Sequence, residues 1–252
     1  MVPRFYAPDL DSSHTRVTLS PDESHHLVRV LRLARGDHAI VFDGRGAEFL
    51  ATVESADRQA AVVRVLEPRQ PAPDPPVNIV LVQSVLKGDK MEMVIRDATM
   101  AGVAHIMPVI TERSQVKVSA LARGHALERW QRVSISSAKQ CGRARLPTID
   151  KAVPFDEWLR TPFDGLRLLL VEPSAGDQVT AKLRDVLPTA PPRAIGSIVG
   201  PEGGWTSDER HFAAEEGCVA ASLGPMTLRA DAAGLVAVAV LSFAFDGSQA
   251  GR

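Results

Sequence analysis

The spacing of apolar residues divides the chain into two parts with different predicted secondary structure. Before residue 70, short apolar runs such as 39–42 and 60–65 are separated by turn residues, among them the Asp-Gly-Arg-Gly stretch at 43–46. This pattern predicts a small domain rich in β-strands. Ser20 and Pro21, followed by two acids, predict that one helix begins there with Ser20 as its N-cap.

Beyond residue 77 the pattern predicts buried strands that alternate with helices. Unbroken apolar runs predict strands at 78–82, 105–110, 168–171, 195–199 and 219–223. Apolar positions three and four residues apart predict helices near 91–101, over 127–140 and over 229–245. A further helix is expected to open at Thr206, where Thr206 and Glu209 have the spacing of a capping box. Such alternation indicates an α/β domain with a mostly parallel sheet.

The stretch 67–76 is rich in proline, which predicts that it forms neither a helix nor a strand ladder. Residues 71–76 alone contain four prolines, so we predict a stiff linker there. The predicted organisation is therefore an N-terminal domain at 1–70, a linker at 71–76 and a C-terminal domain at 77–252.

The last predicted helix has no polar face, since residues 232–241 are all Ala, Gly, Leu or Val. A helix of this kind has to be buried nearly all round. A partner subunit would provide that burial together with the sheet, which favours a homodimer. Complete burial inside a single chain is the alternative.

Composition narrows the class of protein. With 252 residues, 45% of them hydrophobic, the chain can build a substantial core. No apolar run approaches the roughly 20 residues of a membrane span, and the N-terminus lacks a signal-peptide core, so we expect a cytoplasmic protein that does not bind membranes. Cys141 and Cys218 are too few for a disulfide framework or a zinc site, and no metal is expected.

Charge is unevenly distributed along the chain, although the formal net charge is only -1. Residues 111–151 contain nine lysines and arginines against three acids. This basic segment is a candidate for binding the phosphates of a nucleic acid. The alternative is a solvated face whose acidic neighbours lie close in space but distant in sequence.

Two glycine-containing loops are the main candidates for chemistry. The loop 200–205 reads Gly-Pro-Glu-Gly-Gly-Trp and joins a predicted strand to a capped helix, where open α/β sheets bind ligands. Its sequence matches neither a P-loop nor a dinucleotide fingerprint, and a plain tight turn is the alternative. The loop 223–229 ends in Arg229, which either meets an anionic group of a substrate or pairs with Asp231.

Other common catalytic arrangements are not found in the sequence. It contains no Gly-x-Ser-x-Gly elbow and no His-Glu-x-x-His motif, and the pair His25-His26 lacks further ligands at metal spacing. These observations leave hydrolases of those classes and zinc enzymes without support.

Nine segments, in this order, resemble the bacterial small-subunit ribosomal RNA uridine-N3 methyltransferases, a family of the knotted SPOUT superfamily. They are distributed over nearly the whole length of the chain: Arg4-Phe5-Tyr6, residues 25–32, 42–46, 83–90, 101–103, 112–114, 139–143, 200–205 and 223–229. The resemblance implies a PUA-like β-barrel domain followed by a SPOUT-type α/β domain with a deep trefoil knot. One departure is at 228–233, where the family reads Leu-Arg-Thr-Glu-Thr-Ala and this chain reads Leu-Arg-Ala-Asp-Ala-Ala.

The resemblance also implies a cofactor, S-adenosyl-L-methionine, and a set of binding residues in three loops. Those implied for the cofactor are Leu170, Val171, Glu172, Pro173, Val199, Gly200, Pro201, Glu202, Gly203, Leu223, Gly224, Met226 and Leu228. Those implied for RNA are Arg4, His25, Arg29, Arg32, Lys87, Arg113, Lys139, Gln140 and Arg143.

The implied reaction is methylation of N3 of a specific uridine, position 1498, in 16S ribosomal RNA, within the small ribosomal subunit and by a homodimer. The catalytic residues implied are Arg229, for charge developing on the uracil carbonyls, and Glu202 or Asp231, for organising the pocket or accepting the N3 proton. Two alternatives stay open at this point: a SPOUT ribose 2'-O-methyltransferase, and a non-catalytic ribosomal RNA-binding protein of the same fold.

Overall fold

The computed structural model describes residues 2–10, 15–117, 121, 125–173 and 180–246. It divides into two compact units, one of residues Met1–Asp74 with Ile135–Leu146 and one of residues Pro75–Ser134 with Pro147–Arg252. The boundary between Asp74 and Pro75 falls inside the predicted linker at 71–76. The segment Ile135–Leu146, which sequence reasoning placed in the C-terminal domain, belongs instead to the N-terminal unit.

The N-terminal unit is a curled five-stranded sheet of the PUA-like kind. Its strands lie in the order β1-β3-β4-β5-β2, and all pairs are antiparallel except β1 with β3. Alternate apolar residues of these strands form one buried core. The strands are β1 (Arg4–Tyr6), β2 (Arg16–Thr18), β3 (His38–Phe42), β4 (Glu48–Ser55) and β5 (Val62–Arg69).

One helical segment interrupts this sheet, as predicted. Helix α1 (Pro21–His25) begins at Ser20, whose hydroxyl accepts a hydrogen bond from the N–H of Glu23 at 3.3 Å. One turn of π-helix (His26–Val30) follows it directly. The predicted N-cap is confirmed.

The proline-rich stretch forms more strand than the sequence predicted. Residues 67–69 continue β5, and Pro68 lies opposite Phe49 of β4. Among the described residues, β2 pairs with β5 only from Val62 to Arg64, so residues 67–69 lie at an edge of the described sheet. Proline is tolerated at an edge because its missing N–H is not needed for pairing. The prediction that proline excludes a strand ladder from 67 onward was therefore wrong.

The C-terminal unit is built on a seven-stranded sheet whose pairs are all parallel. Six strands lie in the order β12-β10-β11-β6-β7-β8, and β9 also pairs with β7. The strands are β6 (Asn78–Ser84), β7 (His105–Ile110), β8 (Thr148–Ile149), β9 (Val153–Pro154), β10 (Leu166–Leu170), β11 (Ala194–Val199) and β12 (Val219–Ala221).

Helices cover both faces of this sheet, which explains the unbroken apolar runs of its strands. In β6, Ile79 and Leu81 belong to the larger core cluster and Val82 to the cluster on the other face. The predicted α/β class with a parallel sheet is confirmed; the trefoil knot concerns how the chain threads its loops and stays a prediction. The helices are α2 (Lys90–Met100), α3 (Ala126–Cys141), α4 (Phe155–Leu159), α5 (Leu183–Val186), α6 (Ser207–Glu215) and α7 (Ala230–Asp246).

Helix α7 is not buried all round within one chain. Ala237, Val238 and Leu241 are fully buried, but Val240 is 40% exposed and Phe243 is 83% exposed. The alternative of complete burial inside a single chain is thus wrong, because the sheet covers only one side of the helix; burial by a partner subunit stays a prediction. An apolar strip remains on its other side. None of the described helices is both long and apolar enough to cross a membrane.

The capping box at the start of α6 is formed as predicted, and it provides a test of the fold. The Thr206 hydroxyl accepts the N–H of Glu209 at 3.2 Å, and the Glu209 carboxylate accepts the N–H of Thr206 at 2.9 Å. We expect Thr206→Ala to lower the free energy of unfolding by about 1 kcal/mol, because a helix N–H loses its acceptor. Ser207→Ala, one residue along on the exposed first turn, is the control. Equal stability of both variants in urea denaturation would contradict this assignment.

Candidate active site

Three loops meet at one edge of the C-terminal sheet because the strands that precede them are parallel neighbours. β10 pairs with β11 on one side and with β12 on the other, so all three strands end at the same edge. The loops that leave them are 171–173, 200–206 and 222–229. This is the edge at which open α/β sheets bind ligands.

The three loops surround a cavity of about 530 Å³. This volume lies within the range of roughly 300–1,000 Å³ that is common for small-molecule sites. Of the residues implied for the cofactor, all but Gly224 line the cavity, as do Arg229 and Asp231. The lining residues predicted from sequence are Leu170, Val171, Glu172, Pro173, Val199, Gly200, Pro201, Glu202, Gly203, Leu223, Met226 and Leu228.

Trp205 joins two of these loops. Its indole N–H donates a hydrogen bond to the carbonyl of Leu170 at the end of β10, at 2.9 Å. Its ring also packs against Phe155, with centroids 4.8 Å apart. Gly200 is needed beside it, since a Cβ at Gly200 would lie 2.9 Å from the Trp205 ring. The ring of Trp205 therefore packs against the glycine loop, and its N–H ties that loop to the end of β10.

Arg113 supports the same glycine loop from another side. Its guanidinium group donates to the carbonyl of Gly203 at 2.9 Å. The side-chain stem packs so closely that a Cβ at Gly203 would lie 3.1 Å from the Cβ of Arg113. Gly204 follows with φ +68°, in the left-handed region that favours glycine, and closes a turn onto the carbonyl of Pro201.

Two ion pairs stand at the cavity. Arg229 binds Asp231 through two hydrogen bonds, Nε to Oδ1 at 3.0 Å and Nη2 to Oδ2 at 2.6 Å. Lys90 binds Oε1 of Glu202 at 2.9 Å. Hydrogen bonding to Arg229 lowers the pKa of Asp231, and the same pair raises the pKa of Arg229. The pairing of Arg229 with Asp231 that the sequence left open is thus present, and both residues still line the cavity.

Sequence reasoning missed several residues of the cavity. Lys90 and Arg210 line it, and so do Gly204 and Trp205, which were named only as members of the loop 200–205. Arg113 lines it as well, although it was expected only to bind RNA. Trp205 could have been found from its position directly after the glycines. Lys90 ends the segment 83–90 that resembles the family and opens helix α2, but nothing in its local sequence indicates that it pairs with Glu202. Among the described residues, no group of three potential metal ligands occurs.

The residues implied for RNA fall into two groups by exposure. His25, Arg29, Arg32, Lys87, Arg113 and Gln140 are exposed. The other three are held by carboxylates within the N-terminal unit, and their side chains are 7–12% exposed: Arg4 with Glu48, Lys139 with Glu23, and Arg143 with Asp74. Burial raises the pKa of Glu23, and Lys139 opposes that shift. Because these partners already neutralise them, the three buried cations have little to offer a phosphate.

The positive charge of the basic segment at 111–151 is also partly neutralised within the protein, more than the sequence suggested. Arg129 pairs with Glu92 at 2.5 Å within the C-terminal unit, and Arg145 pairs with Asp74 at 2.9 Å within the N-terminal unit. Acids remote in sequence therefore neutralise part of it. The alternative of a solvated face with acidic neighbours holds for these residues.

Comparison with known proteins agrees with this architecture. A family model described as an RNA methyltransferase domain matches residues 73–242, and one described as an RNA methyltransferase PUA domain matches residues 19–66. Among curated proteins, ribosomal RNA small subunit methyltransferase E of Synechocystis is 33% identical over 228 residues, which cover 90% of this chain and 72% of that protein.

Solved structures resemble the whole chain. A methyltransferase from Legionella pneumophila, determined with bound SAM, superposes with a TM-score of 0.88 at 32% identity and covers 97% of this chain and 98% of its own. Ribosomal RNA small subunit methyltransferase E of Neisseria gonorrhoeae, also bound to S-adenosyl methionine, gives a TM-score of 0.86 at 32% identity with the same coverage. The chain therefore belongs to the RNA methyltransferase family that comprises the ribosomal RNA small subunit methyltransferases E.

Proposed function

We propose that this protein transfers a methyl group from S-adenosylmethionine to N3 of a uridine in 16S ribosomal RNA. The observation that carries the proposal is the convergence of three strand-terminal loops, with Arg229, Glu202 and Asp231, on one cavity. Family membership supports the methyl donor and the class of RNA. The choice of N3 rests on the sequence resemblance, and it separates this proposal from ribose methylation.

The residues of the cavity fit S-adenosylmethionine. Gly200 and Gly203 leave backbone groups open to close approach, and the aliphatic wall of Leu170, Val199 and Leu223 suits a flat base. Carboxylates and guanidinium groups at the mouth suit a ligand that carries both an amino group and a carboxylate. When bound, the cofactor supplies an electrophilic methyl group on a sulfonium.

Arg229 is the residue that we assign to the uracil ring. Its side chain is 74% exposed at the cavity, and Asp231 holds only one edge of the guanidinium group through Nε and Nη2. The Nη1 group is left to donate to a carbonyl oxygen on which negative charge develops. Fixing the guanidinium before the substrate arrives lowers the cost of orienting it.

The proton acceptor is better assigned to Glu202 than to Asp231. The pKa of Asp231 is lowered by its hydrogen bonds to Arg229, so Asp231 is a weak base and serves to position Arg229. Lys90 engages only Oε1 of Glu202. The second oxygen of Glu202 is thus the one that we propose takes the N3 proton.

For RNA we propose the exposed subset of the predicted residues, namely His25, Arg29, Arg32, Lys87, Arg113 and Gln140. We assign Arg4, Lys139 and Arg143 to stabilising the N-terminal unit, because buried charges without their partners are strongly destabilising.

We also propose a cytoplasmic homodimer that acts on the small ribosomal subunit. The apolar strip of α7, which includes Leu235, Val240 and Phe243, is the surface that a second copy would cover. A second copy on this strip would bury the apolar residues of α7 that one chain leaves exposed.

Product analysis tests the function. The protein is incubated with labelled S-adenosylmethionine and small subunits that lack the modification, and the RNA is digested to nucleosides. We expect the label in N3-methyluridine. A 2'-O-methylated nucleoside would make the protein a ribose methylase, and no label in RNA despite cofactor binding would make it a binding protein.

Replacing Arg229 tests the assignment of the carbonyl-binding group. We expect Arg229→Ala to lower turnover at saturating cofactor and RNA by roughly 10²–10³-fold, because developing charge loses its donor. The control is Arg184→Ala, which removes another exposed arginine paired with a neighbouring acid, Asp185, but does not line the cavity. Near-normal turnover of Arg229→Ala in single-turnover assays would exclude this role.

Trp205→Phe tests whether the cavity depends on the bond to β10. The variant keeps a ring beside Phe155 but loses the donor to Leu170, and we expect three- to tenfold weaker binding of S-adenosylmethionine by calorimetry, about the value of one hydrogen bond. The matched control is Trp130→Phe, because the buried indole N–H of Trp130 has no partner among the described residues. Affinity changes of the same size in both variants would refute the idea.

A further inference from the structure

One exposed surface of the N-terminal unit combines two of the arginines proposed above for RNA with two apolar side chains to which no role has been assigned. In it, Val30 and Leu31 are 61% and 39% exposed, and Arg29, Arg32 and Arg35 are exposed around them. We call these five residues the tip. Resting on the proposed function, we propose that the tip binds unpaired nucleotides of the ribosomal RNA, with the two apolar side chains against bases and the guanidinium groups on phosphates.

The charges of the tip are not neutralised within the protein. Among the described residues, Arg29, Arg32 and Arg35 have no ion-pair partner. The carboxylate of Asp37, the acid nearest to Arg35 in sequence, accepts the backbone N–H of Ala34 at 2.8 Å. Most other cations of the unit are paired with acids: Arg4, Arg16, Arg45, Arg69, Lys139, Arg143 and Arg145. An unneutralised cluster of this kind favours a polyanion.

The backbone holds the tip in one arrangement. Leu27, which precedes the tip, is fully buried, and Leu33, which lies between Arg32 and Arg35, packs against the same core. The N–H of Leu31 donates to the carbonyl of His26, and the N–H of Leu33 to that of Leu27, both at 3.0 Å. Since the leucines on either side point inward, Val30 and Leu31 are directed to solvent. A surface arranged in advance loses less entropy on binding.

The conformation of Arg32 supports a functional reading. Its φ is 56°, a left-handed value that residues other than glycine adopt uncommonly. Such a conformation costs free energy and is frequent at binding sites, which is consistent with a binding role for the tip.

The two apolar side chains distinguish unpaired RNA from a duplex. Phosphate binding alone needs only the arginines, yet Val30 and Leu31, which lie between them, are 61% and 39% exposed. Aliphatic side chains can pack against the exposed faces of unpaired bases, whereas the base faces of a regular RNA duplex are already stacked on one another. An acidic protein is the alternative partner of the tip, and binding to free RNA compared with binding to assembled subunits distinguishes the two.

The test compares a tip variant with a matched surface variant. Val30→Ser combined with Leu31→Ser removes the apolar pair, and Leu66→Ser, at a residue 44% exposed in β5, is the control. The probe is a fluorescent single strand copied from the 16S ribosomal RNA around its target uridine, alone or annealed to its complement. We expect the double variant to bind the single strand at least tenfold more weakly at every salt concentration, and the control to stay within about twofold.

Salt dependence separates the two kinds of contact. Replacing Arg32 and Arg35 together with Ala should reduce the slope of log affinity against log salt by about 1.4, the value for two phosphates of a single strand. The apolar variant should keep the slope of the unmodified protein. Arg58→Ala, at an exposed arginine beside Asp57, is the charge control and should change the slope little.

Failure of this inference is distinguishable from failure of the proposed function. All variants should melt at the temperature of the unmodified protein and bind S-adenosylmethionine equally well. If the apolar variant binds and methylates RNA normally, the tip proposal is overturned and the function stands. If it binds free RNA normally but assembled subunits weakly, the tip contacts a ribosomal protein and the proposal is again overturned. If the unmodified protein binds cofactor but no RNA, the proposed function itself is wrong.

Discussion

The parallel pairing of β10 with β11 and β12 is the constraint on which the candidate active site depends. Because Leu169 lies beside Ile198 and Leu170 lies beside Ala221, the three strands end together. Their loops have to leave the sheet at one edge, and the cavity forms where they diverge. Trp205 then closes the arrangement, since its hydrogen bond to Leu170 ties the glycine loop to the end of the central strand.

The charges at this cavity are balanced in pairs, and this balance determines what each can do. Asp231 holds Arg229, which fixes the guanidinium group and leaves the acid with a lowered pKa. Lys90 holds Glu202 through one oxygen. Alignment of groups thus contributes more here than a strongly perturbed acid or base, as suits transfer of an already activated methyl group. The Asp at 231, shorter than the glutamate usual in the family, still reaches the arginine two residues away.

Charge in the N-terminal unit follows a different rule. Cations that are close in sequence pair with different acids in the fold: Lys139 is buried with Glu23, and Arg143 is buried with Asp74. The arginines of the tip, by contrast, have no ion-pair partner in the part of the chain that the structure describes. A count of basic residues along the chain therefore indicates a charged partner but does not locate the surface that meets it.

Local features of the structure were determined by the sequence itself. The N-cap at Ser20, the capping box at Thr206, the apolar strands and the glycine loop all depend on residues within a few positions of one another, and such signals can be read directly. The resemblance of ordered motifs supplied most of the cavity residues for the same reason, since they lie in three continuous loops.

Contacts between distant segments were decided only by the tertiary structure. Lys90 reaches Glu202 across more than a hundred residues, the strand pairing of Pro68 depends on an edge that β2 leaves uncovered, and Ile135–Leu146 belongs to a unit formed mostly by the first 74 residues. The exposure of α7 likewise depends on how much of it the sheet can cover. Hydrophobic patterning specifies that a segment must be buried; which surface buries it, and which acid neutralises a given cation, follows only when the chain is folded.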